Sequence, residues 1–260
     1  MQDRKAAYFT IATVISPLSV SFAAMVSRLL IIIPCFNEET TLPQLLEKLK
    51  NTAVPEGYEY VPVVVNDCSS DRTAAVAKQH NVRVLNLVNN LGIGGAVQTG
   101  IRYALEQGFD LAIQMDGDGQ HPPGEIVKHL AAMSRYNADV VIGSRFLTRE
   151  GFQTSFLRRI GIRYFYGLNR ILTGKNIHDS TSGFRLLGKK AIALAARHYP
   201  DDYPEPESLV FFSRAGLSIK EIPVVMSPRL GGKSSINSFA SLYYFIKVTL
   251  SMFFSYIRKL

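Results

Sequence analysis

The sequence predicts an α/β fold in which a mostly parallel sheet is flanked by helices. Short apolar runs containing Val and Ile alternate along the chain with stretches whose apolar residues recur at helical spacing. Polar segments follow these runs, as expected where the strands of a parallel sheet end. With 260 residues and 47% hydrophobic content, the chain is large enough to bury a sheet between two helical layers.

The predicted strands are short and partly β-branched, which suits strands buried on both faces of a sheet. In chain order they are Leu29–Ile33, Tyr60–Val65, Val82–Leu87, Leu111–Met115 and Val140–Ile142. Helical spacing predicts the elements that join or follow these strands. The predicted helices are Leu42–Leu49, Ser70–Gln79, Gly94–Leu105, Gly124–Met133 and Ser155–Leu172.

Several polar segments follow strand ends and are therefore expected to meet at one edge of the sheet. They are Pro34–Glu38, Asn66–Asp71, Asn89–Gly95, Asp116–His121 and Gly143–Phe146. Ligands of a parallel α/β sheet bind beyond the carboxyl ends of its strands. The sequence therefore predicts a ligand-binding crevice at this edge.

One of these segments carries two acidic residues separated by a single glycine. At this spacing, Asp116 and Asp118 can share a divalent cation, Mg²⁺ or Mn²⁺, with a nucleotide diphosphate. Asp-Gly pairs also occur in ordinary turns, so the pattern alone leaves both interpretations open. Asp118 is the leading predicted metal ligand, with Asp116 and Gln120 as further contacts. His121 is predicted to form hydrogen bonds in its neutral state instead of binding the metal.

Charge is distributed unevenly along the chain, whose net charge is +8. Residues 1–140 hold 11 Lys and Arg against 14 Asp and Glu, whereas residues 141–260 hold 18 against 7. The cations are spread over separate loops and helices without a recognisable nucleic-acid-binding module, so no nucleic-acid partner is expected. A phosphate-bearing ligand or an anionic membrane surface is the predicted partner of the basic half.

The chain is predicted to comprise an extension over residues 1–27, a main domain over residues 28–235 and a C-terminal helix over residues 236–260. The extension has charged residues before an apolar stretch and so imitates a secretory signal. A misassigned start and a peripheral membrane contact are the favoured alternatives. The two cysteines, Cys35 and Cys68, lack the spacing of a disulfide framework, which favours free thiols in a reducing compartment.

The C-terminal helix is predicted to be amphipathic and to lie on a membrane surface. Its apolar face comprises Phe239, Leu242, Tyr243, Ile246, Leu250, Phe253, Phe254 and Ile257. Lys247 and Arg258 lie beside this face, an arrangement typical of interfacial helices. Packing on the main domain is the alternative, and the helix's Ser, Thr and Lys residues disfavour a membrane span.

Six motifs in order resemble those of GT-A fold family 2 glycosyltransferases. They are Ile32–Glu39, Val65–Thr73, Asn90–Ala96, Asp116–Pro123, Gly143–Phe146 and Asp179–Arg185. The resemblance spans about residues 28–247 and is strongest to enzymes that transfer sugars to dolichyl or undecaprenyl phosphate. It implies a Rossmann-like nucleotide-diphospho-sugar transferase fold.

The resemblance also implies which residues bind the donor. Nucleotide-sugar binding is assigned to Pro34, Asn37, Glu38, Asn66, Asp67, Gly94, Asp116, Asp118 and Arg229. Asn66 replaces the acid that reads the base in this family, and Cys68 replaces a glycine, so Asp67 is the predicted base contact. Tight packing is the alternative for Gly94.

Acceptor or phosphate binding is assigned to Arg145, Arg163, Ser182, Arg185, Lys233 and Ser234. Asp118, Arg145 and Glu207 are the predicted catalytic residues. A lipid phosphate is already an oxyanion and needs no general base, whereas a sugar hydroxyl would need one, supplied by Glu205 or Glu207. A helix N-terminus is the alternative for these glutamates, and pairing with Asp179 is the alternative for Arg185.

These features predict an inverting, metal-dependent transfer of a hexose from a nucleotide-diphosphate sugar, UDP in preference to GDP, to a polyprenyl phosphate. The predicted location is the cytoplasmic face of the membrane, with peripheral attachment. One alternative extends a lipid-linked or surface polysaccharide through a sugar hydroxyl. The other is a non-catalytic nucleotide-sugar-binding or membrane-recruiting protein. The identity of the sugar and any homo-oligomer or membrane-protein partner stay open.

Overall fold

The computed structural model describes residues 26–148, 156–202, 204–228 and 238–258. The strands are β1 (Ser27–Cys35), β2 (Tyr58–Asn66), β3 (Arg83–Asn86), β4 (Leu111–Gln114), β5 (Val140–Ser144), β6 (Arg185–Gly188) and β7 (Ile219–Pro223). The helices are α1 (Leu42–Lys50), α2 (Thr73–Gln79), α3 (Gly92–Glu106), α4 (Ile126–Tyr136), α5 (Phe156–Thr173), α6 (Lys189–Arg197), α7 (Pro204–Arg214) and α8 (Ser238–Ile257). Residues 1–25 of the predicted extension lie outside these ranges.

The described strands form one sheet in the order β3-β2-β1-β4-β6-β5-β7. Strand β6 runs antiparallel to both of its neighbours, and the other pairs are parallel. The predicted α/β fold with a mostly parallel sheet is therefore confirmed. Strands β6 and β7 and helix α6 were not predicted.

Both faces of the sheet are buried, and β1 shows why its sequence is continuously apolar. Leu30 and Ile32 pack toward α3 and α6, whereas Leu29, Ile31 and Ile33 pack toward α1 and α4. Side chains alternate between the two faces of a strand, so a strand covered on both sides needs apolar residues at every position. The sheet thus holds the loops at its carboxyl edge on a rigid base.

Pro34 was predicted to follow the first strand. It instead lies inside β1, whose last residue is Cys35. The Ile32 carbonyl accepts the Met115 amide on the β4 side, and the Cys35 carbonyl accepts the Asp67 amide on the β2 side. Because backbone groups alternate in direction, the missing N–H of Pro34 falls on the β4 side, beyond the last β4 pair. The proline therefore removes no hydrogen bond of the sheet.

Helices α5, α7 and α8 pack together through a small apolar cluster. Its buried members are Phe165 of α5, Val210 of α7, and Val248 and Met252 of α8. Within the described residues, no helix is both long and apolar enough to cross a membrane. The predicted C-terminal helix exists and is attached to the rest of the fold along one side.

Candidate active site

The loops after β1 and β2 lie side by side at the carboxyl edge of the sheet. The Asn37 amide donates to Ser69 Oγ at 3.0 Å, and the Ser70 amide donates to Asn37 Oδ1 at 2.9 Å. Asn37 has a left-handed φ of 56°, a region that asparagine tolerates better than most residues. These hydrogen bonds fix the shape of the first two predicted ligand loops.

The loop after β4 carries the acidic pair. Asp118 is buried, and its Oδ1 accepts a hydrogen bond from the Gln120 amide at 3.0 Å. The Asp116 side chain is 32% exposed, so solvent reaches it from the crevice. A Cβ at Gly117 would lie 2.8 Å from Cys35 Sγ, so glycine is needed for this approach to β1. The carboxylates are therefore held one residue apart over the end of β1.

Two neighbours set the orientation of Asp116. Gln114 Nε2 donates to Asp116 Oδ1 at 3.0 Å, and the Asp116 amide donates to His121 Nδ1 at 3.0 Å. His121 is buried and stacks on Phe184 with ring centroids 4.6 Å apart. Because its Nδ1 accepts the Asp116 amide, His121 positions the backbone of Asp116.

Sequence reasoning missed Gln114 and Thr41. Gln114 and Asp116 lie two residues apart at a strand end, and this alternation is the signal that places both side chains on one face. Thr41 Oγ1 lies 2.5 Å from Glu38 Oε2 and 3.0 Å from the Gly117 carbonyl oxygen. Thr41 thus links the start of α1 to the acidic loop, a long-range contact that no local pattern indicates.

Asp67, the predicted base contact, caps helix α3. Its carboxylate oxygens accept the Leu91 amide at 2.7 Å and the Gly92 amide at 2.9 Å. These amides have no partner within the helix, and a carboxylate at a helix N-terminus stabilises them. Asn66, the residue before it, is buried and hydrogen-bonded to Asn86. Asp67 therefore has a structural role at the start of α3, and its contact to the base stays a prediction.

Gly94 and Pro34, both assigned to donor binding, have packing roles. A Cβ at Gly94 would lie 1.9 Å from the Asp201 carbonyl oxygen and 2.4 Å from the Pro200 carbonyl oxygen. Pro34 is buried within β1. Gly94 therefore fits the alternative of tight packing, and the segment packed against it is the loop before α7.

Arg145 follows β5 and forms a two-point ion pair with Asp179. Its Nε and Nη2 donate to the two carboxylate oxygens at 2.7 Å each, and Nη2 also donates to Thr181 Oγ1 at 3.0 Å. The Asp179 amide donates to Glu221 Oε1 at 2.7 Å. Burial lowers the pKa of Arg145, but Asp179 outweighs burial and raises it above the usual value. Arg145, and not Arg185, is the ion-pair partner of Asp179.

Arg185 and Ser182, both assigned to the acceptor, form hydrogen bonds within the protein, and their acceptor binding stays a prediction. Buried Arg185 donates to the Ser182 carbonyl at 2.7 Å, to the Ser180 carbonyl at 2.9 Å and to Ser208 Oγ at 2.7 Å. Ser182 Oγ donates to the Gly143 carbonyl at 2.6 Å. Their polar groups therefore join β5, β6 and α7 beneath the crevice.

Glu205 and Glu207 both lie in the first turn of α7 but have different surroundings. Glu207 Oε1 accepts a hydrogen bond from Ser255 Oγ of α8 at 2.5 Å. Burial raises the pKa of Glu205, the charge of Arg185 opposes this rise, and the charges of Asp116 and Arg145 have smaller effects. The Glu207 carboxylate is thus turned toward α8, and its catalytic assignment stays a prediction. Glu205 is the acid of this pair that neighbours the site.

The predicted residues Arg229, Lys233 and Ser234 lie outside the described residues, and Arg163 is exposed on α5. Within the described ranges, no three His, Cys, Asp or Glu residues are grouped to hold a metal ion. The acidic pair and Gln120 offer the oxygen ligands that hard divalent cations take, and a bound diphosphate would add more. This set of ligands fits a cation shared with a nucleotide.

A comparison with known families identifies the greater part of the chain. The pattern described as Glycosyl transferase family 2 matches residues 30–194. This range extends from β1 into α6 and includes the acidic loop, Arg145 and Asp179.

Curated relatives and solved structures agree with this match. The chain is 33% identical over 219 residues to the undecaprenyl-phosphate mannosyltransferase of Micrococcus luteus, covering 81% of this chain and 88% of that protein. It is 28% identical over 214 residues to the UDP-N-acetylglucosamine–dolichyl-phosphate N-acetylglucosaminyltransferase of Methanococcus voltae, covering 75% and 83% of the two chains. Glucosyl-3-phosphoglycerate synthase of Mycobacterium tuberculosis, solved with Mn²⁺, UDP and glucosyl-3-phosphoglycerate, superimposes with a TM-score of 0.63 at 17% identity. That superposition covers 88% of this chain and 79% of the other.

Proposed function

Because this chain belongs to glycosyl transferase family 2, we propose that it transfers a hexose from a nucleotide-diphosphate sugar to a polyprenyl phosphate. The protein is a glycosyltransferase and has the GT-A fold of its structural neighbours. The observation that carries the proposal is the acidic loop, where Asp116 and Asp118 are held over the end of β1 by contacts from Gln114 and Thr41.

The donor occupies the crevice at the carboxyl edge of the sheet, between the loops that follow β1, β2 and β4. UDP is the favoured carrier. The name of the Methanococcus voltae relative includes a UDP-sugar, and the Mycobacterium tuberculosis synthase was solved with UDP. Asn37 and Glu38, on the loop after β1, are the proposed contacts to the nucleotide.

Mg²⁺ or Mn²⁺ is the proposed cofactor, held by Asp116 and Asp118 with Gln120 nearby. When bound, the cation would offset the negative charge that develops on the departing diphosphate. Gln114 and His121 keep the Asp116 carboxylate in place before any ligand arrives. The Mn²⁺ in the solved synthase supports a divalent cation in this fold.

The acceptor is proposed to be a lipid phosphate. One of its oxygens forms a bond to the anomeric carbon while the bond from that carbon to the diphosphate breaks, and the electron pair leaves with the nucleotide. In-line attack inverts the anomeric configuration and needs no general base, because the attacking oxygen is already ionised. Arg145, whose guanidinium is paired with Asp179, lies beside the site and is the proposed contact to the acceptor phosphate. The Micrococcus luteus relative, named for undecaprenyl phosphate, supports this acceptor.

One observation favours the alternative of a sugar-hydroxyl acceptor. Glu205 lies near Asp116, and burial raises its pKa. A carboxylate with a raised pKa is a stronger base, so it suits removal of a hydroxyl proton. Substitution Glu205→Gln therefore distinguishes the acceptors, since it would abolish transfer to a hydroxyl but spare transfer to a phosphate.

Peripheral attachment to the cytoplasmic face of the membrane is proposed from the outer side of α8. Val248 and Met252 bury its inner side. Five other apolar residues of the helix are at least 50% exposed, namely Ile246, Leu250, Phe253, Phe254 and Ile257. These are members of the apolar face predicted from the sequence, and such a face suits the membrane interface.

The experiment that tests the proposed function measures nucleotide release from a panel of UDP- and GDP-hexoses, with Mn²⁺ or EDTA, with and without undecaprenyl phosphate. Release is expected only with cation and lipid together, and Asp118→Asn should reduce it by at least about a hundredfold. Thermal unfolding checks that the Asp118→Asn protein is folded. Full activity of Asp118→Asn, or release that EDTA leaves unchanged, would contradict the proposal.

A further inference from the structure

A pair of asparagines occupies the ends of β2 and β3, at the edge of the proposed donor site. Asn66 and Asn86 are partners in the parallel register of these strands. Asn66 Nδ2 donates to Asn86 Oδ1 at 2.9 Å, and Asn66 Oδ1 accepts the Ser69 amide at 3.3 Å. Asn66 is buried, whereas Asn86 is exposed. The buried member of the pair therefore uses both ends of its amide inside the protein.

The backbone fixes which way both amides point. The Ser69 amide can only donate, so it requires the oxygen of Asn66 on its side. Asn66 must then turn its NH₂ group toward Asn86, which requires the oxygen of Asn86 in return. Asn86 is left with its NH₂ group directed away from the pair. Within the described residues, Asn86 Nδ2 has no hydrogen-bond partner, so its donors remain for a ligand.

Apolar side chains on neighbouring loops complete the surface at this edge. Val88, two residues after Asn86, is 90% exposed, and Phe36, on the loop after β1, is 51% exposed. The Cys68 thiol contacts the Val88 carbonyl at 3.6 Å, which joins the loops after β2 and β3. A flat heterocycle buries apolar faces and needs hydrogen bonds at its rim, and these loops supply both kinds of contact.

We propose that Asn86 reads the donor base by donating from Nδ2 to a carbonyl oxygen at the rim of the base, and that buried Asn66 sets the orientation of Asn86. This inference rests on the proposed function, because it requires a nucleotide donor in the crevice. A donor at this position favours uracil, which presents two carbonyl oxygens at its rim, over guanine, which presents one carbonyl oxygen next to its N–H groups.

The test uses Asn86→Asp, with binding of UDP and GDP in the presence of Mn²⁺ measured by calorimetry. The new carboxylate can still accept from Asn66 Nδ2, but it presents an acceptor to the base where the wild type presents a donor. We expect UDP affinity to fall by about tenfold relative to GDP affinity. Asn66→Asp should also lower UDP affinity relative to GDP affinity. An aspartate at position 66 can only accept, so Asn86 would turn its NH₂ group toward it and its oxygen toward the base.

The matched control is Asn81→Asp, which adds the same charge to an exposed asparagine before β3, at the opposite end of that strand. This control should leave the ratio of UDP to GDP affinity within about twofold of wild type, because added charge affects both diphosphates alike. An unchanged ratio in Asn86→Asp, or an equal shift in Asn81→Asp, would overturn the inference and leave the proposed function standing. If the wild type bound neither nucleotide, the proposed donor site itself would be refuted.

Discussion

Arg145 and Arg185 show how far residue types alone identify a site. Both were assigned to the acceptor, Arg145 because arginine after a strand end suits phosphate and Arg185 because of the resemblance to the family. Only Arg145 forms its ion pair at the edge of the crevice, while Arg185 is buried among backbone carbonyls and Ser208. Their partners come from distant segments, so sequence order predicts the arginines but not the groups that they contact.

Substitution Arg185→Lys tests the structural role of this residue. A lysine cannot hold two carbonyls and a hydroxyl in the fixed geometry of the guanidinium, so buried acceptors lose their donors. We expect the free energy of unfolding to fall by about 2–4 kcal/mol with donor affinity unchanged, as measured by urea unfolding and calorimetry.

The matched control is Arg163→Lys, at an exposed position on α5, which should change stability by less than about 0.5 kcal/mol. A stable Arg185→Lys protein that had lost acceptor affinity would restore the predicted binding role of Arg185.

Glu205 predicts a pH dependence of stability. Burial raises its pKa in the folded state, so its contribution to stability is fully present below the pKa of the unfolded chain and is lost as pH rises through the folded value. Glu205→Gln, which stays neutral, should therefore gain stability relative to wild type at pH 8 but not at pH 4. Urea unfolding at both pH values measures the difference.

Exposed Glu56→Gln is the control and should show no such gain at either pH. A Glu205→Gln protein that was less stable than wild type at pH 8 would mean that the ionised carboxylate stabilises the fold, contrary to the effect of burial.

At the scale of elements, the start of α3 is shaped by its contact with the loop that precedes α7. Gly94 lies under the Pro200 and Asp201 carbonyl groups, and a Cβ there would overlap them. Gly94→Ala should destabilise the protein by at least about 2 kcal/mol, because the backbone on both sides must move apart. Thermal and urea unfolding measure this loss.

Gly167→Ala in α5 provides the control at a second helical glycine. A Cβ there would meet nothing within 4 Å, so the higher helix propensity of alanine should leave stability unchanged or raise it by about 0.5–1 kcal/mol. Equal stability of the two alanine variants would show that Gly94 is not held against the loop.

The elements that the sequence predicted are those with a strong local pattern. The five predicted strands occur because each is an apolar run long enough to be seen without tertiary context. Strand β6 was missed because its apolar run comprises only Leu186 and Leu187, between the charged Arg185 and Gly188. That charge is accommodated only by carbonyl groups brought together in the folded protein.

At the scale of the whole molecule, α8 joins the catalytic fold to its proposed membrane surface. Replacing Phe253 and Phe254 together with serine should weaken binding to vesicles containing anionic lipid by at least about tenfold, because each buried ring contributes about 1.5–3 kcal/mol. Vesicle sedimentation measures this loss, and UDP binding should be unchanged because both side chains point away from the domain core.

Leu105→Ser, at an exposed apolar residue of α3, is the matched control and should bind vesicles like the wild type. Undiminished vesicle binding by the double phenylalanine variant would remove α8 from the membrane contact.

The acceptor is the part of the function that sequence patterns predict least well. The proposed donor site comprises strand ends and glycines whose spacing is visible in the sequence, as with Gly117 between its two aspartates. The proposed acceptor side depends on distant contacts, such as those that separate Glu205 from Glu207 and pair Arg145 with Asp179. From helical spacing alone, α8 could either lie on a membrane or pack on the main domain. In the fold, one side of α8 packs on the domain and the opposite side is exposed.

The most direct test of the central claim is the transfer of labelled hexose to undecaprenyl phosphate compared with undecaprenol, which has the same lipid chain but ends in a hydroxyl. With donor and Mn²⁺ present, we expect labelled lipid only from the phosphate, and Glu205→Gln should slow that transfer by less than about tenfold, because the attacking oxygen is already ionised. Transfer to a sugar hydroxyl that is independent of lipid phosphate and abolished by Glu205→Gln would contradict the account.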